Sequence, residues 1–173
     1  TLLVAGPVSL KTNHSSIDRI DVESAEEMYR AVLSEYDRSD IAIMCAAVAD
    51  YAPETVSDVK LKRTGEDRIL RLRPNPDIAA ELGRRKRPGQ CLVGFALETN
   101  DEEMNARLKM EKKNLDFIVL NSLRDAGAGF QCDTNKVTVI GKQGDPVEIP
   151  CKPKIEVAAD IVDIIGRYVS EDR

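Results

Sequence analysis

An uninterrupted apolar run over residues 41–48 constrains the fold of this chain more than any other stretch. The run has no period-2 alternation, and such a run predicts a central strand that is covered on both faces of a sheet. The small residues Ala46, Ala47 and Ala49 are followed directly by the carboxylate of Asp50. Because open α/β sheets bind ligands outside the carboxyl ends of their strands, the run predicts a ligand site beside Asp50.

Composition narrows the class of protein. The chain has 173 residues, of which 42% are hydrophobic and 32% charged, and this predicts a single domain over 1–173. No apolar run approaches the roughly 20 residues of a membrane span, and a net charge of −5 argues against nonspecific nucleic-acid binding. Cys45 and Cys91 are expected to be reduced core residues in a cytoplasmic protein. With His14 as the only histidine, multi-histidine metal sites and His-based triads are excluded.

Strand and helix patterns alternate along the chain, as they do in β-α-β units. A capping box of Ser24 and Glu27 starts a helix between a strand at 17–22 and the strand at 41–48. The apolar residues of this helix form one stripe, so the helix packs on a sheet. The sequence therefore predicts an α/β fold. Further strands are expected at 2–5, 91–96, 116–120 and, as an edge strand, 137–141, with helices over about 101–114 and 154–169.

A basic segment follows Asp50. Residues 58–73 predict a β-hairpin around a turn at 64–67, and they hold six cations against three acids. The alternation fits an ordinary solvated basic face as well as a surface that meets an anionic ligand. The apolar face of the hairpin comprises Val59, Leu61, Leu70 and Leu72, and the basic face comprises Lys60, Lys62, Arg71 and Arg73.

The residues after this segment indicate a second contact for anions. Asn75 and Pro76 predict the start of a helix, with Asn75 as the N-cap. The N–H groups exposed at such a helix start form an anion site. Gly83 predicts the end of the helix, which would leave the basic residues 84–87 in solvent.

Two lysines of the helix at 101–114 are further candidates for contact with a charged ligand. Met104 and Leu108 mark the predicted core side, whereas Lys109 and Lys113 lie one turn apart with no acid at i±4. Like charges so placed destabilise a helix by a few tenths of a kcal/mol. The spacing leaves two interpretations open, namely ordinary surface lysines or a two-pronged phosphate clamp.

Six motifs in order give the chain a family resemblance over almost its whole length. They are AGPVSL at 5–10, CAAVADY at 45–51, KLKR at 60–63, NPDI at 75–78, VGFALET at 93–99 and KKNLD at 112–116. This ordered set resembles the phosphopantothenoylcysteine synthetase domain of coenzyme A biosynthesis. In most bacteria that domain is the C-terminal half of a bifunctional protein of the DNA/pantothenate metabolism flavoprotein family.

The resemblance implies a Rossmann-like three-layer sandwich with a mostly parallel sheet and a β-hairpin flap over 58–73. It also implies a homodimeric ligase that condenses 4′-phosphopantothenate with L-cysteine, using CTP and Mg²⁺ through an acyl-cytidylate. The pantothenate moiety would lie along Ala46 and Ala47, and Lys60 would serve both nucleotide contact and chemistry. The nucleotide contacts carried over by motif are Met44, Asp50, Lys60, Arg73, Pro74, Asn75, Pro76, Phe95, Lys109 and Lys113.

Two other classes of function stay open at this stage. A Rossmann-type NAD(P) oxidoreductase needs a G-x-G-x-x-G turn and an acidic residue after its second strand, and neither is visible. A noncatalytic nucleotide-binding or dimerisation module also fits. The family's first strand and glycine-rich loop are not found here, so we expect a chain without its first βα unit, which can be inactive alone. Nucleotidyl transfer relies on cations and a metal more than on a protein nucleophile, so the scarcity of histidine favours the ligase.

Overall fold

The computed structural model describes residues 1–65, 67–98, 100–122 and 132–171, which fall into two compact units. Unit 1 comprises Thr1–Ser34 and Ala46–Ile78, and unit 2 comprises Glu35–Cys45 and Ala79–Arg173. The single domain expected over 1–173 stays a prediction. The helices are α1 Ala25–Tyr36, α2 Ile78–Arg85, α3 Glu102–Lys112 and α4 Lys154–Glu171. The strands are β1 Leu2–Ala5, β2 Asp18–Asp21, β3 Ile41–Met44, β4 Tyr51–Pro53, β5 Leu72–Pro74, β6 Cys91–Glu98, β7 Phe117–Ser122, β8 Thr134–Gly141 and β9 Val147–Pro153.

Unit 1 contains the first two strands that the sequence predicts, and they pair in parallel with Leu2 beside Asp18. The predicted capping box is present at the start of α1. The Glu27 N–H donates to Ser24 Oγ at 3.1 Å, and the Ser24 N–H donates to Glu27 Oε2 at 3.1 Å. Backbone hydrogen bonds from Glu23 and Ser24 hold the pKa of Glu27 below its ordinary value. A local sequence pattern thus decides where α1 begins.

The antiparallel ladder of unit 1 lies at the base of the predicted hairpin and not along it. β4 pairs with β5, and one more hydrogen bond runs from the Glu54 N–H to the Arg71 carbonyl at 2.9 Å. Residues 54–65 and 67–71 form neither helix nor strand. The hairpin strands predicted within 58–73 are therefore formed only at their C-terminal end, in β5. The physical reason is that the described apolar side chains of the segment are exposed, and a two-stranded hairpin is marginally stable in water unless its apolar face packs on something.

Unit 2 is built on a five-stranded sheet in the order β3-β6-β7-β8-β9. β3, β6 and β7 run parallel, and β8 and β9 extend the sheet in antiparallel pairings. β8 is therefore an interior strand and not the edge strand expected at 137–141. The edge strand beyond β8 is β9, which the sequence pattern did not predict. β9 contains Pro150 and Pro153, and an edge strand tolerates proline because one side of its ladder needs no N–H donors.

β3 differs from the strand predicted at 41–48. It spans only Ile41–Met44, pairs with β6 and stands at the end of the strand order, so it is an edge strand in its sheet. Both of its isoleucines are exposed. Cys91 is buried as expected, whereas Cys45 is exposed. An apolar run has no periodicity that separates a central strand from an edge strand, and the prediction of a covered central strand was wrong for this reason.

Helices cover both faces of this sheet, which gives unit 2 three layers. Neighbouring residues of β6 point to opposite faces. Val93 packs in a buried cluster with Ile161 and Ile165 of α4, whereas a Cβ at Gly94 would lie 2.6 Å from the side chain of Leu115, which follows α3. The α/β layering expected from the sequence is confirmed. Within the described ranges, no helix combines the length and the apolarity that crossing a membrane requires.

The buried side of α3 differs from the predicted one. Ala106 and Met110 are buried, whereas Met104 and Leu108 are exposed. Successive helix residues are rotated by about 100°, so Met104 and Leu108 lie on the side opposite Ala106. The helix thus has two apolar pairs at i,i+4 spacing on opposite sides, and periodicity alone does not select the pair that faces the sheet.

A buried charge cluster ties the end of α2 to β6 and β7. The carboxylate of Asp116 accepts hydrogen bonds at Oδ1 from Lys86 at 2.7 Å and from Lys142 at 3.0 Å. Its Oδ2 accepts the Leu92 N–H at 2.8 Å. Burial alone raises the pKa of Asp116, but these hydrogen bonds outweigh burial and hold the pKa below its ordinary value. The cluster satisfies a carboxylate that is only 6% exposed.

The structure of α2 and its C-terminal end differs from the sequence prediction in two respects. Gly83 does not end the helix, which continues to Arg85. It lies where α2 touches another segment, because a Cβ at Gly83 would be 1.8 Å from the carbonyl oxygen of Lys113. Of the basic residues at 84–87, Lys86 is drawn into the charge cluster and does not extend into solvent.

Candidate functional site

The predicted site residues divide between the two units, and within unit 1 the structure brings two of them, Asp50 and Asn75, into direct contact. Others are exposed on segments without regular structure. Unit 1 holds Ala46, Ala47, Asp50, Lys60, Arg73, Pro74, Asn75 and Pro76, and unit 2 holds Met44, Phe95, Lys109 and Lys113.

Unit 1 brings Asp50 into contact with the segment that follows β5. The Asn75 N–H donates to the Asp50 carbonyl at 2.8 Å, and Asn75 Nδ2 donates to the Ala49 carbonyl at 2.8 Å. Two motifs that lie 26 residues apart are joined by this side-chain contact. The side chains of Asp50 and Arg73 are exposed, so a carboxylate and a guanidinium from the joined segments are open to a ligand.

Asn75 does not act as the predicted N-cap, because α2 begins only at Ile78. Its side-chain amide is used for the hydrogen bond to Ala49. Backbone carbonyls need hydrogen-bond partners, and the amide satisfies one that lies outside any ladder. The residue therefore fastens the Asp50 segment and does not start the helix.

Of the remaining predicted residues of unit 1, Ala46, Ala47, Lys60 and Pro74 are exposed, whereas Pro76 is half-buried. Ala46 and Ala47 lie in a tight turn, in which the Val48 N–H donates to the Ala46 carbonyl at 3.0 Å. Lys60 lies in the stretch at 54–65 that has no helix or strand. The structure therefore presents the ammonium group of Lys60 to solvent and fixes only the base of its segment, at β4 and β5.

β3 and β6 place two predicted residues of unit 2 on neighbouring strands. Met44 pairs with Gly94, the residue before Phe95. The Phe95 side chain packs against the buried cluster on the α4 face of the sheet. Lys109 belongs to α3, which covers the other face, so a ligand beside Lys109 would meet Phe95 through its backbone.

Lys109 has an acidic partner that spacing along α3 did not reveal. Glu98, the last residue of β6, places its Oε1 2.5 Å from Lys109 Nζ. The Glu98 side chain is 14% exposed and that of Lys109 is 48% exposed. Lys113 is half-buried and makes contacts of its own. The available signal for Glu98 was its place in the VGFALET motif, where a carboxylate ends a strand just before the helix of Lys109.

The predicted site residues fit a metal ion that binds mainly through the phosphates of a nucleotide, with few ligands from the protein. In the described part of the chain, no three His, Cys, Asp or Glu side chains converge to hold a metal. Mg²⁺ commonly keeps several waters and binds through substrate phosphates and one or two carboxylates. The exposed carboxylate of Asp50 is a donor of this type.

Comparison with known proteins places the chain among relatives that are longer than itself. The DNA/pantothenate metabolism flavoprotein C-terminal domain family matches residues 1–168. The chain is 52% identical over 160 residues to a cysteine/cysteine sulfinic acid decarboxylase of an unknown prokaryotic organism, covering 92% of this chain and 45% of that protein. It is 47% identical over 165 residues to the coenzyme A biosynthesis bifunctional protein CoaBC of Bacillus subtilis strain 168, covering 95% and 40%. The chain thus spans less than half the length of these relatives.

Solved structures share its fold. The C-terminal domain of CoaBC matches with a TM-score of 0.80 at 35% identity, covering 98% of this chain and 74% of that chain. A Cab2 mutant in complex with phosphopantothenate-cysteine matches in fold alone, with a TM-score of 0.60 at 16% identity, covering 79% and 47%. The predicted Rossmann-like α/β class is thereby confirmed. Because the family match extends over nearly the whole sequence, the chain belongs to the DNA/pantothenate metabolism flavoprotein family, in the part that corresponds to its C-terminal domain.

Proposed function

We propose that the chain is a ligase domain that joins 4′-phosphopantothenate to L-cysteine at the expense of CTP, in coenzyme A biosynthesis. The contact between Asp50 and Asn75 carries the proposal, because it unites two of the family's motifs around an exposed carboxylate. The 47% identity to CoaBC supports the pathway, although that relative is more than twice as long as the matched region. The fold shared with a Cab2 complex of phosphopantothenate-cysteine fits the same product.

The proposed reaction has two steps and needs no redox partner. A carboxylate oxygen of 4′-phosphopantothenate attacks the α-phosphorus of CTP, which forms an acyl-cytidylate and releases pyrophosphate. The amine of cysteine then attacks the acyl carbon, an amide bond forms, CMP leaves and the amine proton passes to solvent. Both steps redistribute negative charge on phosphates, so cations contribute more than a protein nucleophile.

Each predicted residue has a role that its chemistry suits. Asp50 and the segment at 73–76 would contact the nucleotide, and Lys60 would stabilise charge on the reacting phosphate. Lys109 and Lys113 would bind phosphates as point charges. The pantothenate moiety would lie along Ala46 and Ala47, whose small side chains leave the backbone accessible.

Mg²⁺ would accompany CTP and offset part of the triphosphate charge. Asp50 is the residue of unit 1 that would contribute an oxygen to it. Because Mg²⁺ binds mainly through phosphates and water, this role requires no preformed cage in the protein.

A second copy of the chain is the expected partner, beside the small-molecule substrates. Val59 is 72% and Leu61 58% exposed, and Ile69 is 91% exposed. Apolar side chains that are this exposed in one segment are typical of an interface. The segment between β4 and β5, residues 54–71, is hereafter called the flap segment. We place the homodimer contact there, and we expect a cytoplasmic protein that binds neither nucleic acid nor membrane.

Pyrophosphate release tests the proposed reaction. The chain supplied with CTP, Mg²⁺ and 4′-phosphopantothenate should release pyrophosphate, and omission of either organic substrate should abolish the release. Lys60→Gln should slow the reaction by about a hundredfold, since removing one group that stabilises developing charge has an effect of that order. Lys62→Gln, two residues further in the same basic segment, is the matched control and should be nearly as active as the parent.

The outcomes separate this function from its alternatives. Binding of CTP without pyrophosphate release would favour a noncatalytic nucleotide-binding module. Binding of a nicotinamide nucleotide in place of CTP would favour the oxidoreductase. The similarity to the decarboxylase covers 45% of that protein and gives no reason to place decarboxylation in this chain.

A further inference from the structure

Glu98 and Lys109 form an ion pair at the carboxyl end of β6, beside α3 in unit 2. Oε1 of Glu98 is shielded from solvent and lies 2.5 Å from Lys109 Nζ, without the alignment of a hydrogen bond. A shielded carboxylate is unfavourable unless a positive charge lies close to it. Lys109 supplies such a charge, so the two side chains depend on each other.

The backbone of both elements directs the two side chains towards each other. Residues two apart on a strand share a face, so Glu98 lies on the same face of β6 as Gly94. Gly94 faces Leu115, at the end of the α3 layer. Lys109 follows the buried Ala106 by three residues, which turns it towards the sheet. The pair is therefore a consequence of strand and helix geometry and not of a chance surface encounter.

We infer that Glu98 is a positioning residue for Lys109, which it holds at the end of β6 in the place where the phosphates of a nucleoside triphosphate bind. The inference rests on the proposed function and adds to it a residue that the sequence pattern did not indicate. An ammonium group has three donors, and a single ionic contact leaves donors for a phosphate. The side chain of Lys109 is 48% exposed, so a ligand can approach it.

The benefit of such positioning is conformational. A free lysine side chain samples many rotamers and loses that freedom when it binds a ligand. Glu98 restricts Lys109 before the ligand arrives, and preorganisation of this kind improves affinity. If Glu98 instead blocked Lys109, it would lower the affinity for the ligand, because a phosphate would then have to displace the carboxylate. The half-exposed side chain of Lys109 favours positioning, since a phosphate can approach it while the pair stays intact.

A double-mutant cycle on CTP binding tests the inference. The dissociation constant of CTP with Mg²⁺ is measured by calorimetry for the parent chain, Glu98→Gln, Lys109→Gln and the double variant. We expect Glu98→Gln to weaken binding about fivefold in the parent background and to have no effect once Lys109 is replaced. Glu103→Gln is the matched control, because it removes an acid that is paired with Arg107 on the same helix. It should bind CTP like the parent.

Each other result overturns the inference. Tighter binding by Glu98→Gln would show that the carboxylate blocks Lys109. An equal loss in both backgrounds would show that Glu98 acts on the ligand or on the fold without Lys109. If the parent chain binds no CTP, the proposed function fails first, and the same four variants are then compared by urea unfolding. Zero coupling between the two substitutions in the free energy of unfolding would show that Glu98 does not hold Lys109.

Discussion

At the scale of single residues, the carboxylate of Asp116 is the centre of a buried charge cluster in unit 2. It is buried, it contacts Lys86 and Lys142, and Lys86 is itself only 10% exposed. Breaking such a buried pair leaves a charge without a partner, which costs more than the intact pair contributes.

Asp116→Asn should therefore lower the free energy of unfolding by about 3 kcal/mol. Glu103→Gln removes a carboxylate from an exposed i,i+4 pair with Arg107 and should cost only about 0.3 kcal/mol. Urea unfolding at neutral pH measures both. Similar losses for the two variants would contradict the assignment of Asp116 to a buried cluster.

The same residue determines a pH dependence. The pKa of Asp116 in the folded chain lies below its ordinary value of 3.8, so its contribution to stability is complete above that value. The contribution is lost as the pH falls through the folded pKa. Between about pH 5 and pH 2 the parent chain should lose more stability than Asp116→Asn. Parallel curves for the two proteins would show that Asp116 does not titrate in this way.

At the scale of secondary-structure elements, two helical glycines have opposite surroundings. Gly83 in α2 lies against the Lys113 carbonyl, with 1.8 Å between that oxygen and an added Cβ, whereas Gly166 in α4 has nothing within 4 Å of an added Cβ. A glycine in an open helical position weakens the helix by its backbone freedom. A glycine at a close approach is required by packing.

Gly166→Ala should therefore raise the free energy of unfolding by up to about 1 kcal/mol. Gly83→Ala should lower it by about 2 kcal/mol or more, because the backbone of another segment has to move. Thermal unfolding of the two variants and the parent chain shows whether each substitution raises or lowers the stability. A stabilising Gly83→Ala would mean that α2 does not touch the end of α3 as described.

At the scale of the whole molecule, the flap segment is distinguished by exposed apolar side chains and little regular structure. Its described residues form no helix or strand, and Val56 and Ile69 are 86% and 91% exposed. β6, in contrast, lies between β3 and β7 and is buried along most of its length. Backbone amides exchange quickly where hydrogen bonds and burial are few.

Hydrogen exchange should therefore be fastest in the flap segment and slowest in β6 at low protein concentration. Raising the concentration should slow exchange in the flap segment if a second copy covers it. Adding CTP with Mg²⁺ should slow it further if Lys60 contacts the nucleotide. Exchange that responds neither to concentration nor to CTP, in a sample that binds CTP, would contradict both proposed roles of the segment.

The local signals in the sequence were sufficient for much of the architecture. The capping box of Ser24 and Glu27, the first two strands and the long last helix are all present in the structure. These features depend on neighbours within a few residues, which the sequence displays directly. The order of motifs also pointed to the family that the comparisons show.

Contacts between residues that are distant in the sequence could be identified only in the tertiary structure. The edge position of β3, the buried side of α3 and the pairing of Lys109 with Glu98 each depend on residues from another element. An apolar run has the same pattern at the centre and at the edge of a sheet, and a lysine has the same spacing whether or not a strand ends beside it. The sequence by itself determined the layers and the family of this protein. Only the tertiary structure decided which charged side chains are exposed to solvent and which are held in ion pairs. Burial and ion pairing depend on residues that folding brings close together.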